Sequence, residues 1–435
     1  MEWFVIVPLI LTMLLALFLS GMPVAFAFTT LNLICLYFWA GGAKAWFMFV
    51  NSGFQILTGT CFLPVPSFVL MGEILFYTGS AAVIIDALDK WIGRVPGRLS
   101  MLSVLSGTVL AAMTGSSLGA AVMLGSILLP EMNNHGYRYQ MTLGPCAASG
   151  ALAILIPPTI LGVIAASLVK VSVGDFLIAI VVPGVVLAGL YFIYIYITAL
   201  LRPNLAPPYA GRKVSFWEKI QALRYILPIG IVVFFVLGVI FLGAAAPSEA
   251  AALGVIGTLI VCALFRKLRL SSLMTAVMAS ARVTVMLTMI CLGSITFSQL
   301  MAYTGAARGM AAWAGSLAVP PVVLYLLMMV VVLFLGCIMD GVSVMMISIP
   351  IFVPIVKAVG FDIMWFTVVL LVGVETGMIT PPFGLNLFAV KGVAPENTMA
   401  QVYKSTFPFA VCCVILLGLL YAFPQLVSWL PGLMK

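Results

Sequence analysis

Four interruptions in otherwise apolar stretches hold the residues whose types and spacing can do chemistry. The first is Thr114-Gly115-Ser116-Ser117. There Gly115 permits a tight turn, Ser116 and Ser117 offer hydroxyl and carbonyl oxygens, and the helix that follows presents its first N–H groups to an anion. The second runs from Ser149 through Gly150, Ala151, Leu152, Ala153, Ile154, Leu155 and Ile156 to Pro157-Pro158, and Ser149 adds a further hydroxyl. Its paired prolines remove amide donors, so carbonyls near Ala153 and Ile156 lose their helical partners. The third is Asp340-Gly341, and the fourth is Glu375-Thr376-Gly377-Met378-Ile379-Thr380-Pro381-Pro382. Freed carbonyls and hydroxyls are hard oxygen donors of the kind that hold Na⁺ where helices are broken. One cation site for each pairing of a tip with a proline break is the economical reading. The two tips, Thr114, Gly115 and Ser116 in one and Asp340 and Gly341 in the other, are also the candidate substrate contacts.

The remaining chemistry-bearing residues are few. Glu73, Glu249, Asp340 and Glu375 lie in apolar stretches, where charge is costly and tends to be functional. Asp340 reads equally as an ion ligand or as a cap of its tip, and Glu375 has a similar standing. Glu249, just after Pro247, reads as a cap, and Glu73 as the partner of a basic residue. His135, the only histidine, falls in a predicted cytoplasmic turn, while Asn32 and Asn386 read as structural. The eight cysteines lack metal-ligand spacing and read as small buried hydrophobes.

The elements that must position these residues are set by composition. Of 435 residues, 64% are hydrophobic and 7% charged, against roughly 45–50% and about 25% in a soluble domain. That is an all-α polytopic membrane protein embedded in a lipid bilayer, with little chain left for an aqueous domain. A soluble enzyme and a nucleic-acid binder are excluded. A single histidine argues against a His-based membrane enzyme. Residues 3–20 read as a first span and not a cleaved leader, because Glu2 and no basic residue precedes them.

The chain repeats itself. Adding 224 to a proline number lands on another proline for Pro23, Pro96, Pro130, Pro157, Pro158 and Pro207, where chance gives about one coincidence at average proline usage. Tyr77-Thr78-Gly79 recurs as Tyr303-Thr304-Gly305, two residues later than the same spacing. Residues 1–201 and 225–435 therefore read as two copies joined by a cytoplasmic linker at 202–224. Each copy has about five spans, one re-entrant hairpin (about 99–132 and 321–356) and one helix broken at paired prolines. Five is odd, so the copies are inverted. With both termini outside, Lys44, Lys170, Arg308, Lys357 and Lys435 are external and the other fifteen of 20 basic residues are cytoplasmic, as the positive-inside rule requires. Gly, Ser and Pro also occur in membrane helices as packing residues and kinks, but four such motifs in one repeat register favour the chemical reading. Inverted repeats with broken helices are the pattern of secondary transporters.

At these residues the sequence resembles the large membrane subunit of tripartite ATP-independent periplasmic (TRAP) transporters, within the wider ion-transporter superfamily. The resemblance covers essentially the full length. It is carried by Thr114-Gly115-Ser116-Ser117, Leu129-Pro130-Glu131-Met132 with Gly136-Tyr137, Ile156-Pro157-Pro158, Gly174-Asp175, Pro183-Gly184, and Ile379-Thr380-Pro381-Pro382 with Gly384 and Asn386. Threonine stands at 114 where the family often has serine, which retains the hydroxyl. The resemblance implies a sodium-coupled importer of the bacterial inner membrane, in which a transport domain carrying both hairpins moves like an elevator past a scaffold. It implies an organic-acid substrate with a carboxylate, a periplasmic substrate-binding protein that delivers it, and a small four-helix membrane subunit. It also implies sodium ligands at Ser116, Ser117, Ala153, Ile156 and Pro158 and at Asp340, Gly341, Gly377, Thr380 and Phe383, largely through backbone carbonyls. A stand-alone Na⁺- or H⁺-coupled anion symporter of the same superfamily is the alternative, and an anion channel a more distant one.

Overall fold

The computed structural model describes residues 3–39, 41–42, 46–59, 62–93, 95–114, 117–207, 215–317 and 319–434, apart from the side chains of 111–114 and 229. The first-half helices are α1 (Trp3–Leu19), α2 (Val24–Trp39), α3 (Trp46–Thr58), α4 (Pro64–Tyr77), α5 (Ser80–Ile92), α6 (Arg98–Thr114), α7 (Ser117–Asn134), α8 (Leu143–Leu155), α9 (Ile160–Val169), α10 (Val173–Ala179) and α11 (Val181–Leu201). The second-half helices are α12 (Phe216–Phe241), α13 (Pro247–Leu264), α14 (Leu270–Tyr303), α15 (Ala306–Ser316), α16 (Pro321–Ile338), α17 (Gly341–Val359), α18 (Ile363–Met378), α19 (Leu385–Val393), α20 (Met399–Ala422) and α21 (Gln425–Gly432). No strand occurs among the described residues. Six of these helices are long and apolar enough to cross a membrane, or nine spans if each bent pair counts as one. Large apolar side chains such as Phe54, Phe234 and Leu242 lie open on the outside. A soluble surface avoids contiguous exposure of that kind, whereas lipid favours it.

Helix starts and stops follow local chemistry. Pro64, Pro247 and Pro321 open α4, α13 and α16, positions where the missing N–H has no helical partner to lose. Gly79 and Gly305, at φ +66° and +76°, turn the chain between α4 and α5 and between α14 and α15. Only glycine takes that backbone without a Cβ penalty, which explains why both copies of the Tyr-Thr-Gly motif end on glycine. The first turn bends α4 against α5 by 76°.

Two helices form the centre. Every residue of α8 from Leu143 to Leu155 is buried, as is α18 from Trp365 to Met378, and a helix apolar all round is a core helix. The pair α6 and α7 packs on α8, and the pair α16 and α17 packs on α18. The two sets also cross over: α7 reaches α19, α17 reaches α9, and α8 touches α18.

Several boundaries differ from the sequence reading. Helix α3 lies in a stretch where no span was expected. Helix α14 begins at Leu270, not near 284, and its 34 residues extend roughly 51 Å at 1.5 Å per residue, well beyond a hydrocarbon core of about 30 Å. The span expected at 284–303 is its distal part, and exposed Arg282 marks where apolar character begins. Helix α12 starts at Phe216, inside the stretch read as a linker, where Ser215 N–H donates to Glu218 Oε2 at 3.1 Å and closes a capping box. The charged residues of that stretch are thus partly the first turn of a helix.

Candidate ion and substrate site

The expected site residues lie where the starts of α7 and α17 pack on α8 and α18, the helices that end at the proline breaks. Ser117 is the first residue of α7, and a Cβ on Gly150 of α8 would stand 2.6 Å from its carbonyl oxygen. Glycine at 150 is therefore what lets the start of α7 lie against α8. One turn further along, Ala120 of α7 packs on Ala153, with Ile156 beside them. In the other half a Cβ on Gly377 would stand 2.6 Å from the Cα of Gly336, so α16 and α18 touch backbone to backbone. A Cβ on Gly341 would meet Val374, Met378 and Leu161 at 3.2 Å, which places the start of α17 against α18 and α9.

Both breaks carry a cis peptide, Pro157-Pro158 and Pro381-Pro382. Prolines at 157 and 158 have no N–H for the carbonyls of Ala153 and Ile154, and a proline at 382 has none for that of Met378. In the second break the Thr380 N–H donates to the Gly377 carbonyl at 3.0 Å and its hydroxyl to the Thr376 carbonyl at 2.5 Å. A Cβ on Gly384 would stand 2.5 Å from the Met378 oxygen and 2.9 Å from that of Thr380, so these two carbonyls converge on one small volume.

The structure distributes the expected site residues unevenly. On one side Ser117 lies against Gly150 of α8, and Ala153 and Ile156 pack one turn along, while on the other Gly341 lies against α18, the helix that carries Gly377; Pro158 is buried. Thr114 ends α6, and nothing is described of its side chain; Gly115 and Ser116 lie outside the described residues. Ser149 donates to the Pro145 carbonyl at 2.5 Å and sits 3.2 Å from Ser103 Oγ, so its hydroxyl is directed at α6. Asp340 caps α17: its Oδ2 accepts from Ser343 N–H at 3.1 Å and its Oδ1 from the Ser343 hydroxyl. Phe383 exposes its ring, leaving only its backbone for a ligand role. Glu249 is the cap it was read to be, its Oε2 accepting from Ala246 N–H at 2.8 Å. The seven described cysteines are free and buried; Cys61 lies outside the described residues.

At this point three side chains join the two halves. Asn386 Nδ2 donates to Ser117 Oγ at 2.6 Å, and Ser117 Oγ donates to Glu375 Oε2 at 3.3 Å. Asn386, read from sequence as structural, thus enters the site. Local pattern gives no sign of it, because its partner is 269 residues away.

Known proteins resemble this chain in sequence and in fold. The sequence profile described as "Tripartite ATP-independent periplasmic transporter, DctM component" matches residues 11–426. The chain belongs to this family. The chain is 31% identical over 371 residues to the C4-dicarboxylate TRAP transporter large permease protein of Pseudomonas aeruginosa, covering 85% of this chain and 86% of that one. It is 27% identical to the ectoine TRAP transporter large permease protein of Halomonas elongata, over 97% of each chain. It is equally identical to the sialic acid TRAP transporter large permease protein of Vibrio cholerae, over 96% and 97%. Among solved structures it resembles the YdaH transporter of Alcanivorax borkumensis, with a TM-score of 0.63 at 16% identity over 89% and 90% of the two chains. It also resembles MtrF of Neisseria gonorrhoeae, with a TM-score of 0.56 at 15% identity over 88% and 85%. At such identities the likeness is one of fold. As a member of this family the chain is a multi-span transport subunit and not an enzyme.

Proposed function

We propose that this protein imports an organic acid across the bacterial inner membrane, driven by Na⁺. A periplasmic substrate-binding protein delivers the substrate, and a small four-helix membrane subunit completes the scaffold. The observation that carries this reading is the pairing of each hairpin start, Ser117 and Gly341, with a helix broken by consecutive prolines. Prolines cannot donate, so the carbonyls ahead of them are free for a cation, and lipid tolerates such backbone only where protein or water lines it. The element starts support a duplication: Ser117 and Gly341 keep the 224-residue spacing, and Ser80 and Ala306 keep the 226-residue one. Sodium bound at both pairings fixes each hairpin against its break, and the N–H groups at the starts of α7 and α17 then face the substrate carboxylate. C4-dicarboxylates, ectoine and sialic acid, for which the relatives are named, all bear a carboxylate, which is the class proposed here.

Energetics permit the coupling. Each sodium entering down 100 mV releases about 2.3 kcal/mol, so two offset the inward charge of a dicarboxylate and a chemical sodium gradient drives accumulation. The test is uptake of a C4-dicarboxylate into liposomes holding the membrane subunits, with and without the binding protein, under an imposed gradient. Uptake should need inward Na⁺ and the binding protein. Uptake that ignores sodium overturns the coupling, and full uptake without the binding protein favours the stand-alone symporter.

A further inference from the structure

Backbone oxygens at the two breaks account for the coupling proposed above and leave one cluster of side chains unused. Glu375 and Asn386 are both 0% exposed, and both are held by the Ser117 hydroxyl. Because that hydroxyl accepts from Asn386, its own proton points to Glu375 Oε2. The second carboxylate oxygen, Glu375 Oε1, and the amide oxygen, Asn386 Oδ1, are buried and have no hydrogen-bond partner among the described residues. The ion pairs among the described residues, Lys90–Asp86 and Arg98–Asp89, do not involve Glu375. A shielded carboxylate with neither a basic partner nor a full set of hydrogen bonds is costly.

The repeat shows that the fold does not require this cost. At the 224-residue spacing, Ser117, Glu375 and Asn386 correspond to Gly341, Ala151 and Gly162. Those mates occupy the same elements, α17, α8 and α9, and pack without a polar side chain, Gly341 lying against Leu161 and Met378. At the three mate positions the architecture stands on small apolar residues, and only Ser117, Glu375 and Asn386 bring a hydroxyl, a carboxylate and an amide there.

We propose that Glu375, Asn386 and the Ser117 hydroxyl form a monovalent-cation site that Na⁺ occupies, in addition to the two backbone sites. Glu375 Oε1 and Asn386 Oδ1 supply the oxygens that lack partners, and Ser117 Oγ, already between the two side chains, supplies the third. All three are hard donors. A single carboxylate among neutral oxygens matches a charge of one, not two. The ligands come from α7 in the first half and from α18 and α19 in the second, so the ion ties the first hairpin to the second break. As a driving ion it rests on the sodium-coupled reading and adds one Na⁺ per cycle.

The test uses the assembled complex with Na⁺ alone as the probe, and K⁺ and choline as controls. Thermal unfolding and liposome uptake are measured against Na⁺ concentration for wild type, Glu375→Gln and Asn386→Leu. Each variant should raise the half-saturating Na⁺ concentration roughly tenfold to a hundredfold, the size expected for losing one charged contact. Each should also lower the Na⁺-to-substrate ratio by one, while uptake still requires sodium through the backbone sites. Variants that fold and keep the wild-type sodium dependence and ratio overturn the proposal. Should Glu375→Gln fail to fold, the sodium dependence and ratio of Asn386→Leu decide the matter alone. A wild type whose uptake ignores Na⁺, but whose stabilisation by Na⁺ vanishes in Glu375→Gln, overturns the coupling and supports the site.

Discussion

Asp340 shows how one carboxylate serves two purposes at the residue scale. As the cap of α17 it holds an N–H that has no helical acceptor, and in doing so it fixes the tip on which Gly341 meets α18. Asp340→Ala should cost about 1 kcal/mol of stability, read as a lowered thermal midpoint, and Asp340→Asn should recover most of it because asparagine also caps. The contact of Gly336 with Gly377 has no slack, so Gly377→Leu forces α16 off α18. A destabilisation of about 1–3 kcal/mol from overpacking, together with loss of uptake, is the expected outcome, measured on purified protein and in liposomes. The helix boundary at Asp340-Gly341 and the ends of α8 and α18 before the paired prolines were readable in the sequence because glycine and proline act locally. The bond from Asn386 to Ser117 was not, since it spans 269 residues and follows from how α7 crosses to α19.

Among the elements, the paired prolines matter because they end α8 and α18 inside the bundle. Pro158→Ala supplies an N–H that can reach the Ile154 carbonyl and extend α8 into the space proposed for an ion. Sodium-driven uptake should fall at least about tenfold, the order expected when one charge-assisted contact is lost, while circular dichroism shows helix content unchanged. The link between α5 and α6 is a second point of control. Arg98 is almost wholly buried and donates to the Asp89 carbonyl at 2.9 Å and to Asp89 Oδ2 at 2.7 Å. Arg98→Ala leaves a partly buried carboxylate unpaired, and about 1–3 kcal/mol of stability should be lost. Helix boundaries were less legible than breaks. Membrane helices are apolar on most faces, so periodicity gives little warning that α3 is helical or that α14 runs unbroken from Leu270.

For the whole molecule, an all-helical membrane fold was legible because apolar composition is a property of the chain as a whole. What sequence could not supply is the crossover of α7 to α19 and of α17 to α9, which makes each side of the centre from both halves. The central claim is that the two copies face opposite ways, and cysteine accessibility tests it most directly. Lys357, in the last turn of α17, and Arg138, just beyond α7, end corresponding hairpins under the proposed inverted duplication. With a membrane-impermeant thiol reagent applied to intact cells, Lys357→Cys should label from outside, and Arg138→Cys only after the inner face is opened. Labelling of both positions from the same face would contradict the inverted architecture and the pooling of oxygens that depends on it.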